Sequence, residues 1–308
     1  MKTVSHTKVI SCDWGTSSFR LRLLDLHTGE IIQELTDRDG IAEINDRFLK
    51  TSDTSRIQYF WQILKSKCQL LSQETHPILI SGMASAGIGM RELPYASLPF
   101  ALNGATLHYE LLNNELDYEK AIVLISGVQA VRDVMRGEET IILGAETRQN
   151  ETIILPGTHS KHALISQGEL TYFKTYMTGE FFSLLTDKSI LKNSLTLPPQ
   201  TFEYSPAFQK GVRDAAEGNL LHKTFEIRAD SILNKTLATD NYAYLSGLLI
   251  GTELKDVKGP IKVIADEPHL SLYFRALEIL EKAEDLTYVE AAKCFSLGHL
   301  KIACHLGL

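Results

Sequence analysis

The sequence predicts an α/β protein of two domains, and three observations carry that prediction. Its 308 residues are about twice the ~150 of an ordinary domain. From residue 8 to residue 82 the hydrophobic periods run in the order β-β-β-α-β. From residue 152 the opening pattern of strand, Gly-Thr loop, strand and turn recurs.

The elements follow in order. KVISCD, residues 8 to 13, is a short run rich in β-branched side chains, WGTSS supplies turn chemistry, and FRLRLLDL alternates as a half-buried strand does. A turn at His27 to Gly29 leads to a third strand, IIQEL. Between 54 and 72, Ile57, Phe60, Trp61, Ile63, Leu64, Cys68 and Leu71 recur at near-helical spacing, and after the break at Pro77 the run ILISG reads as a buried strand. Residues 121 to 125 give a further apolar strand, and a helix is expected from Glu138 to Thr147. The stretch TIILPGTHSKHALISQGELTYFKTYMTGE then supplies strand, loop, strand, turn and third strand. Gly15-Thr16 and Gly157-Thr158 lie 142 residues apart and the turn glutamates Glu30 and Glu169 lie 139 apart, a drift of three. Taken alone, that repeat leaves both duplication and recurrence of a common unit open. YAYLSGLLIGTEL reads as a helix whose small residues Ser246, Gly247 and Gly251 admit close approach, IKVIAD as a strand and LYFRALEILEKA as a helix. The domain change is placed between the two repeats, giving domains 1–127 and 128–308.

Composition narrows the function. Hydrophobic residues at 44% and charged residues at 22% fit a folded globular chain, and 31 basic against 38 acidic residues leave a net charge of −7, which disfavours nucleic acid as a partner. Cys12, Cys68, Cys294 and Cys304 form no CxxC pair, so neither a zinc site nor a disulfide framework is expected. The N-terminal stretch has no apolar segment of the kind that directs secretion, and no run of ~18 apolar residues occurs, so a cytoplasmic protein outside the membrane is expected.

Asp13 ends an apolar strand and is followed by Gly15, Thr16, Ser17 and Ser18, a loop whose amides and hydroxyls suit phosphate oxygens. Such an aspartate suits Mg²⁺, often through water; the plainer alternative is a β-turn with polar caps. Two loops of this kind on two domains facing across a cleft would clamp the phosphates of one nucleotide.

The duplicated hairpin resembles the phosphate loops of the actin and sugar kinase superfamily. DWGTSSFR (13–20), SGM (81–83), PY (94–95), VMRGEET (134–140), PGTHSK (156–161), MTGE (177–180), FEIRA (225–229) and YLSGLLIG (244–251) are similar to strings of the bacterial 2-dehydro-3-deoxygalactonokinase family. The resemblance implies two ribonuclease-H-like, actin-like ATPase domains with an interdomain cleft. It also implies ATP and Mg²⁺ as cofactors and transfer of phosphate to the 6-hydroxyl of 2-dehydro-3-deoxy-D-galactonate in galactonate catabolism.

By the same resemblance Glu138, with Glu139 as the other candidate, is the base, and Asp13 holds the metal. Gly15, Thr16, Ser17 and Ser18 with Gly157, Thr158, His159 and Lys161 meet phosphates, and Gly247 and Gly251 lie on the nucleotide side. Gly82, Met83, Arg91, Arg136, Thr178 and Glu180 meet the sugar acid, with Arg20 as a further cation. Plainer readings stand beside these. The two glutamates suit the first turn of a helix, Lys161 and Arg91 suit a solvated surface, and Thr178 and Glu180 suit the cap of the helix FFSLL.

Three departures from the family pattern are legible. Asp266-Glu267-Pro268 replaces a permissive Gly-Thr or Gly-Gly pair, Ala291-Ala292 replaces Gly-Asp ahead of the last helix, and Met90 and His162 stand where tryptophan is expected. They keep alive a second reading, a sugar-acid-binding protein without catalysis on the same fold. A ribonuclease-H-fold nuclease is opposed by the negative charge. Oligomeric state is left open, a homo-oligomer included, as is packing of the last helix back on the first domain.

Overall fold

The computed structural model describes residues 7–51 and 53–308, which divide into two compact units. Unit 1 takes residues 1–147, 168–172 and 291–308, and unit 2 takes 148–167 and 173–290. The chain therefore changes unit at Thr147–Arg148, twenty residues beyond the boundary expected at 127, and it returns to unit 1 twice. The intervening segment stays with unit 1 because its two short strands join a three-stranded sheet there and its helix packs on the C-terminal helix.

Unit 1 opens with β1 (Lys8–Trp14), β2 (Phe19–Asp25), β3 (Ile31–Asp37), α1 (Ile41–Thr51), α2 (Arg56–Leu71) and β4 (Ile78–Gly82). The short strands β5 (Ala96–Ser97), β6 (Phe100–Ala101) and β7 (Tyr109–Leu111) precede β8 (Ile122–Ile125), β9 (Val128–Ala130), β10 (Asp133–Met135) and α3 (Glu138–Gly144). The main sheet has the order β3-β2-β1-β4-β8-β7, with β1, β2 and β3 antiparallel and β1, β4 and β8 parallel. Alternation in β1 and β2 places Ile10, Cys12, Trp14, Phe19, Leu21 and Leu23 in one core, onto which α2 lays Ile57, Phe60, Trp61, Leu64, Cys68 and Leu71. Helix α1 was not anticipated: Ile41 and Ile44 are its fully buried apolar residues among those described, too short a stripe to set a period.

Unit 2 contains β11 (Asn150–Leu155), β12 (Ser160–Ser166), β13 (Glu169–Tyr176), α4 (Thr178–Lys188), α5 (Pro206–Ala216), α6 (Leu220–Leu233), α7 (Ala238–Leu254), β14 (Ile261–Ile264), α8 (His269–Ile279) and β15 (Leu286–Val289). Its strands are ordered β15-β14-β11-β12-β13. The first residues of β13 count with unit 1, where Leu170 pairs with Phe100. With the edge strand β7 of unit 1 set aside, each sheet thus runs third, second, first, fourth and last strand, with the first two strands antiparallel and the last two parallel to the first. This is the connectivity of a ribonuclease-H-like domain, present twice.

Helix α7 is buried nearly all round because α5 lies unusually close to it. A Cβ on Gly211 would stand 2.2 Å from the Tyr244 carbonyl oxygen, and one on Gly247 would stand 2.2 Å from that of Phe208. The last element, α9 (Ala291–Leu306), belongs to unit 1 and buries Cys294, Phe295, Leu300, Ile302 and Ala303 there.

Candidate active site

The first Gly-Thr loop is a tight hairpin turn. Asp13 and Arg20 face each other across β1 and β2, with Arg20 Nη1 donating to Asp13 Oδ2 at 3.0 Å, and the Gly15 amide donates to the Ser18 carbonyl at 2.9 Å. The start of α1 braces the loop, the amides of Ile41 and Ala42 donating to the carbonyls of Gly15 and Thr16 at 3.0 and 3.1 Å. Gly40 permits that approach, since a Cβ there would lie 2.3 Å from the Thr16 oxygen. Trp14 Nε1 donates to the Asp39 carbonyl at 3.0 Å, and the Asp39 carboxylate takes Lys67 and Arg47, each at 2.8 Å. Thr16 and Ser17 remain exposed. Burial raises the Asp13 carboxyl above its ordinary range; Arg20 opposes the rise and nearby Glu138 adds to it.

Glu138 and Glu139 open α3, which ends at Gly144, three residues before the end of the expected helix. Gly137 enters the turn at φ +106°. The Arg136 amide donates to Glu138 Oε2 at 2.9 Å and the Gly137 amide to Glu139 Oε2 at 2.7 Å, so each carboxylate satisfies backbone ahead of the helix. They differ in access: Glu138 is half-buried and Glu139 is 0% exposed. Burial, with the Glu138 charge, pushes the Glu139 carboxyl up to about 7.

Behind Glu139 runs a buried chain that sequence reasoning did not find. Thr140 Oγ1 donates to Glu139 Oε1 at 3.2 Å and meets Ser81 Oγ at 2.7 Å; His299 lies 2.9 Å from Ser81 Oγ through Nε2 and 2.7 Å from Ser11 Oγ through Nδ1. Burial, then Arg22, holds His299 down at about 3, so its ring is neutral and donates through one nitrogen. One direction satisfies every bond to an ionised Glu139: Ser11 to Nδ1, Nε2 to Ser81, Ser81 to Thr140, Thr140 to Glu139. No local signal could have linked residues 11, 81, 140 and 299.

The residues expected at the sugar acid separate. Gly82, at φ +94°, ends β4 where a Cβ would lie 2.7 Å from the Trp14 carbonyl oxygen, and half-buried Met83 packs on the unit 1 core. Arg136 donates from Nη1 to the Ser85 carbonyl at 2.5 Å and to Ser85 Oγ at 2.7 Å, stacks 4.1 Å above the Tyr95 ring, and keeps a buried Nε without a hydrogen-bond partner. Arg91 differs from the expectation that placed it at the substrate. Its guanidinium is committed to Glu110 and to both Glu115 oxygens at 2.6 and 2.7 Å, which neutralise it.

In unit 2 the second loop, Pro156 to His159, joins β11 to β12. Thr158 and His159 are exposed, and His159 Nε2 lies 2.5 Å from Glu180. Lys161 is not a solvated loop residue: it sits in β12 opposite Leu155, is 4% exposed, and its Nζ donates to the His159 carbonyl at 2.9 Å. The first turn of α4 lies on the loop, with a Cβ on Gly179 reaching within 2.6 Å of the Gly157 oxygen and the Glu180 amide donating to the Thr158 carbonyl at 3.0 Å. Thr178 and Glu180, expected at the sugar acid, therefore accompany the second loop in unit 2.

A cavity of about 460 Å³ opens beside that loop, bounded at one end by Gly157, Thr158 and Thr178 and otherwise mostly by apolar and aromatic side chains, among them Phe182, Phe202, Tyr242 and Tyr273. Gly247 and Gly251 do not serve this cavity with bare backbone as expected. Positions for their Cβ atoms are filled by α5, a Cβ on Gly251 falling 2.8 Å from Ala215 Cβ, so both are packing glycines. Of the departing segment Asp266-Glu267-Pro268, Glu267 accepts from the Ser271 amide and hydroxyl at 3.3 and 2.7 Å and caps the first turn of α8, while Pro268 and His269 line the cavity.

The family model for 2-keto-3-deoxy-galactonokinase matches residues 13–301. The Rhizobium meliloti protein named "Probable 2-dehydro-3-deoxygalactonokinase DgoK1" is 33% identical over 252 residues, 79% of this chain and 78% of the relative. The 2-dehydro-3-deoxygalactonokinase of Escherichia coli is 26% identical over 311 residues, 96% of this chain and 97% of its own. A crystal structure from Sinorhizobium meliloti with a 2-dehydro-3-deoxygalactonokinase assignment superposes with a TM-score of 0.82 at 28% identity, covering 97% of this chain and 98% of that one.

Proposed function

Because the chain belongs to the 2-keto-3-deoxy-galactonokinase family, we infer that it is an ATP-dependent carbohydrate kinase that phosphorylates the 6-hydroxyl of 2-dehydro-3-deoxy-D-galactonate. The observation that carries this reading is the extent of the family match, from Asp13 to Lys301, which takes in both Gly-Thr loops and the α3 acids.

A primary alcohol is a weak nucleophile at neutral pH, so a carboxylate within reach must accept its proton as the P–O bond forms. Glu138 takes that role, because Glu139 is fully enclosed and already holds Gly137 and Thr140. The loop from Gly15 to Ser18 offers amides and exposed hydroxyls to phosphate in unit 1, and the loop from Gly157 to His159 does so in unit 2. The unit 2 cavity suits a nucleoside, apolar walls taking the base and Thr158 standing at the phosphate end. Arg136, stacked and with Nε unpartnered, is the cation for the sugar acid's carboxylate in place of Arg91.

Among the described residues no three His, Cys, Asp or Glu side chains gather as a protein-only metal site. Asp13 fits Mg²⁺ held jointly with phosphates and water: its half-buried carboxyl stands at the first loop, where Arg20 pairs with Oδ2 and the Glu138 charge lies nearby. When bound, the ion offsets charge on the transferring phosphates. Four free cysteines support a reducing, cytoplasmic setting as part of this reading, and no helix among the described residues is long and apolar enough to cross a membrane.

The test is ADP formation from Mg-ATP on adding 2-dehydro-3-deoxygalactonate, with the Asp13→Asn protein as blank. Sugar-dependent ADP absent from the blank supports the kinase. No ADP, with the sugar acid raising the melting temperature, would instead support binding without catalysis.

A further inference from the structure

Glu253, on α7, is a carboxylate with 1% of its side chain exposed, and no cation of lysine or arginine stands against it among its described contacts. Four donors converge on it. Oε1 receives Ser160 Oγ at 2.6 Å and His162 Nε2 at 2.9 Å, and Oε2 receives Thr178 Oγ1 and Tyr273 Oη, the latter at 2.8 Å. An ionised carboxylate is the one side chain that accepts at four positions and donates at none, so the set is fully matched.

Those donors frame the second Gly-Thr loop. Ser160 is the first residue after it, and Thr178 immediately precedes Gly179, whose backbone rests on Gly157 and Thr158. Thr178 and Tyr273 also line the 460 Å³ cavity. Two residues before Glu253, Gly251 packs against α5, so the carboxylate is presented from a rigid helix. We infer that Glu253 is a positioning residue for the nucleotide: by holding Ser160, Thr178 and Tyr273 at once it keeps the loop and the cavity wall in the form that receives the phosphates and the base. The inference rests on the nucleotide reading of this loop.

Glu253→Gln conserves shape but turns an NH₂ donor toward two donors, forcing hydroxyls to reorient. Tyr273→Phe removes a single donor and keeps the ring. With the full-length protein, Glu253→Gln should raise KM for ATP and Kd for ADP about tenfold, and Tyr273→Phe about threefold, the losses of charge-assisted hydrogen bonds. KM for the sugar acid should stay within about twofold, a split that general loosening of the fold would not produce. Parent values of KM and Kd in both variants, or equal increases for ATP and sugar acid, would overturn the inference. If Glu253→Gln does not fold, Tyr273→Phe decides alone by the same criteria. Calorimetric ADP binding separates this inference from the substrate assignment. Weakened ADP binding in the variants supports it even where the parent leaves the sugar acid untouched, and a parent that binds no ADP overturns it.

Discussion

Glu138 and Glu139 are neighbours in the chain with different surroundings, half-buried against fully buried, and the proposed roles rest on that difference. Glu138→Gln should lower kcat by about 10²–10⁴ while ADP binding, measured by calorimetry, stays at the parent value. Glu139 affects the pH dependence of stability. Its folded value of about 7 lies above its ordinary 4.5, so the fold retains a proton that the unfolded chain releases, and stability falls as pH rises from 4.5 through 7. The loss has a ceiling of about 3 kcal/mol. His299 acts oppositely: its folded value of about 3 lies below 6.5, so the stability of its neutral form is present above pH 6.5 and declines as pH falls toward 3. In thermal melts from pH 5 to 8, Glu139→Gln should flatten the alkaline decline and keep the acid one; a parent-like profile would contradict this account.

At the scale of elements, the contact between α3 and α9 sets where the acids stand. A Cβ on Gly144 would lie 1.8 Å from the Cys294 carbonyl oxygen, and one on Gly298 would lie 1.9 Å from that of Thr140, the residue after Glu139. Backbone atoms cannot yield as a side-chain tip would, so Gly298→Ala must push the helices apart. It should cost about 1–3 kcal/mol in denaturant unfolding and lower kcat although residue 298 touches no substrate. Strands were the legible elements, since β1, β2, β4, β11 and β12 carry alternating or continuous apolar runs. Helix α6 was unread for a physical reason: Leu221, Phe225, Ile232 and Leu233 are exposed and Ile227 is buried, so hydrophobicity does not mark one face.

Over the whole molecule, unit 1 is assembled from three stretches of chain, the last arriving after all of unit 2. Removing residues 291–308 would strip Cys294, Phe295, Leu300, Ile302 and Ala303 from its core and take His299 from Ser11 and Ser81. Such a truncation should abolish the cooperative thermal transition of unit 1, followed by near-ultraviolet circular dichroism at Trp14 and Trp61, both buried in the core between the sheet and α2 of the same unit. Retention of the parent signal would show that α9 is dispensable.

The amino-acid order by itself determined the strand periods, the two Gly-Thr turns, the α/β class and the family, because each is written in short strings or in their recurrence. It also marked Asp13, Glu138 and Arg136 as chemically apt. Tertiary structure decided which apt residues are free to act. It committed Arg91 to Glu110 and Glu115, gave Gly247 and Gly251 to helix packing, buried Lys161, and joined Ser11, Ser81, Thr140 and His299. Ser81 and Thr140 are 59 residues apart, and His299 and Ser11 are 288 apart. Hydrogen bonding and burial depend on distance through space, and no local pattern records which distant segments folding will bring together.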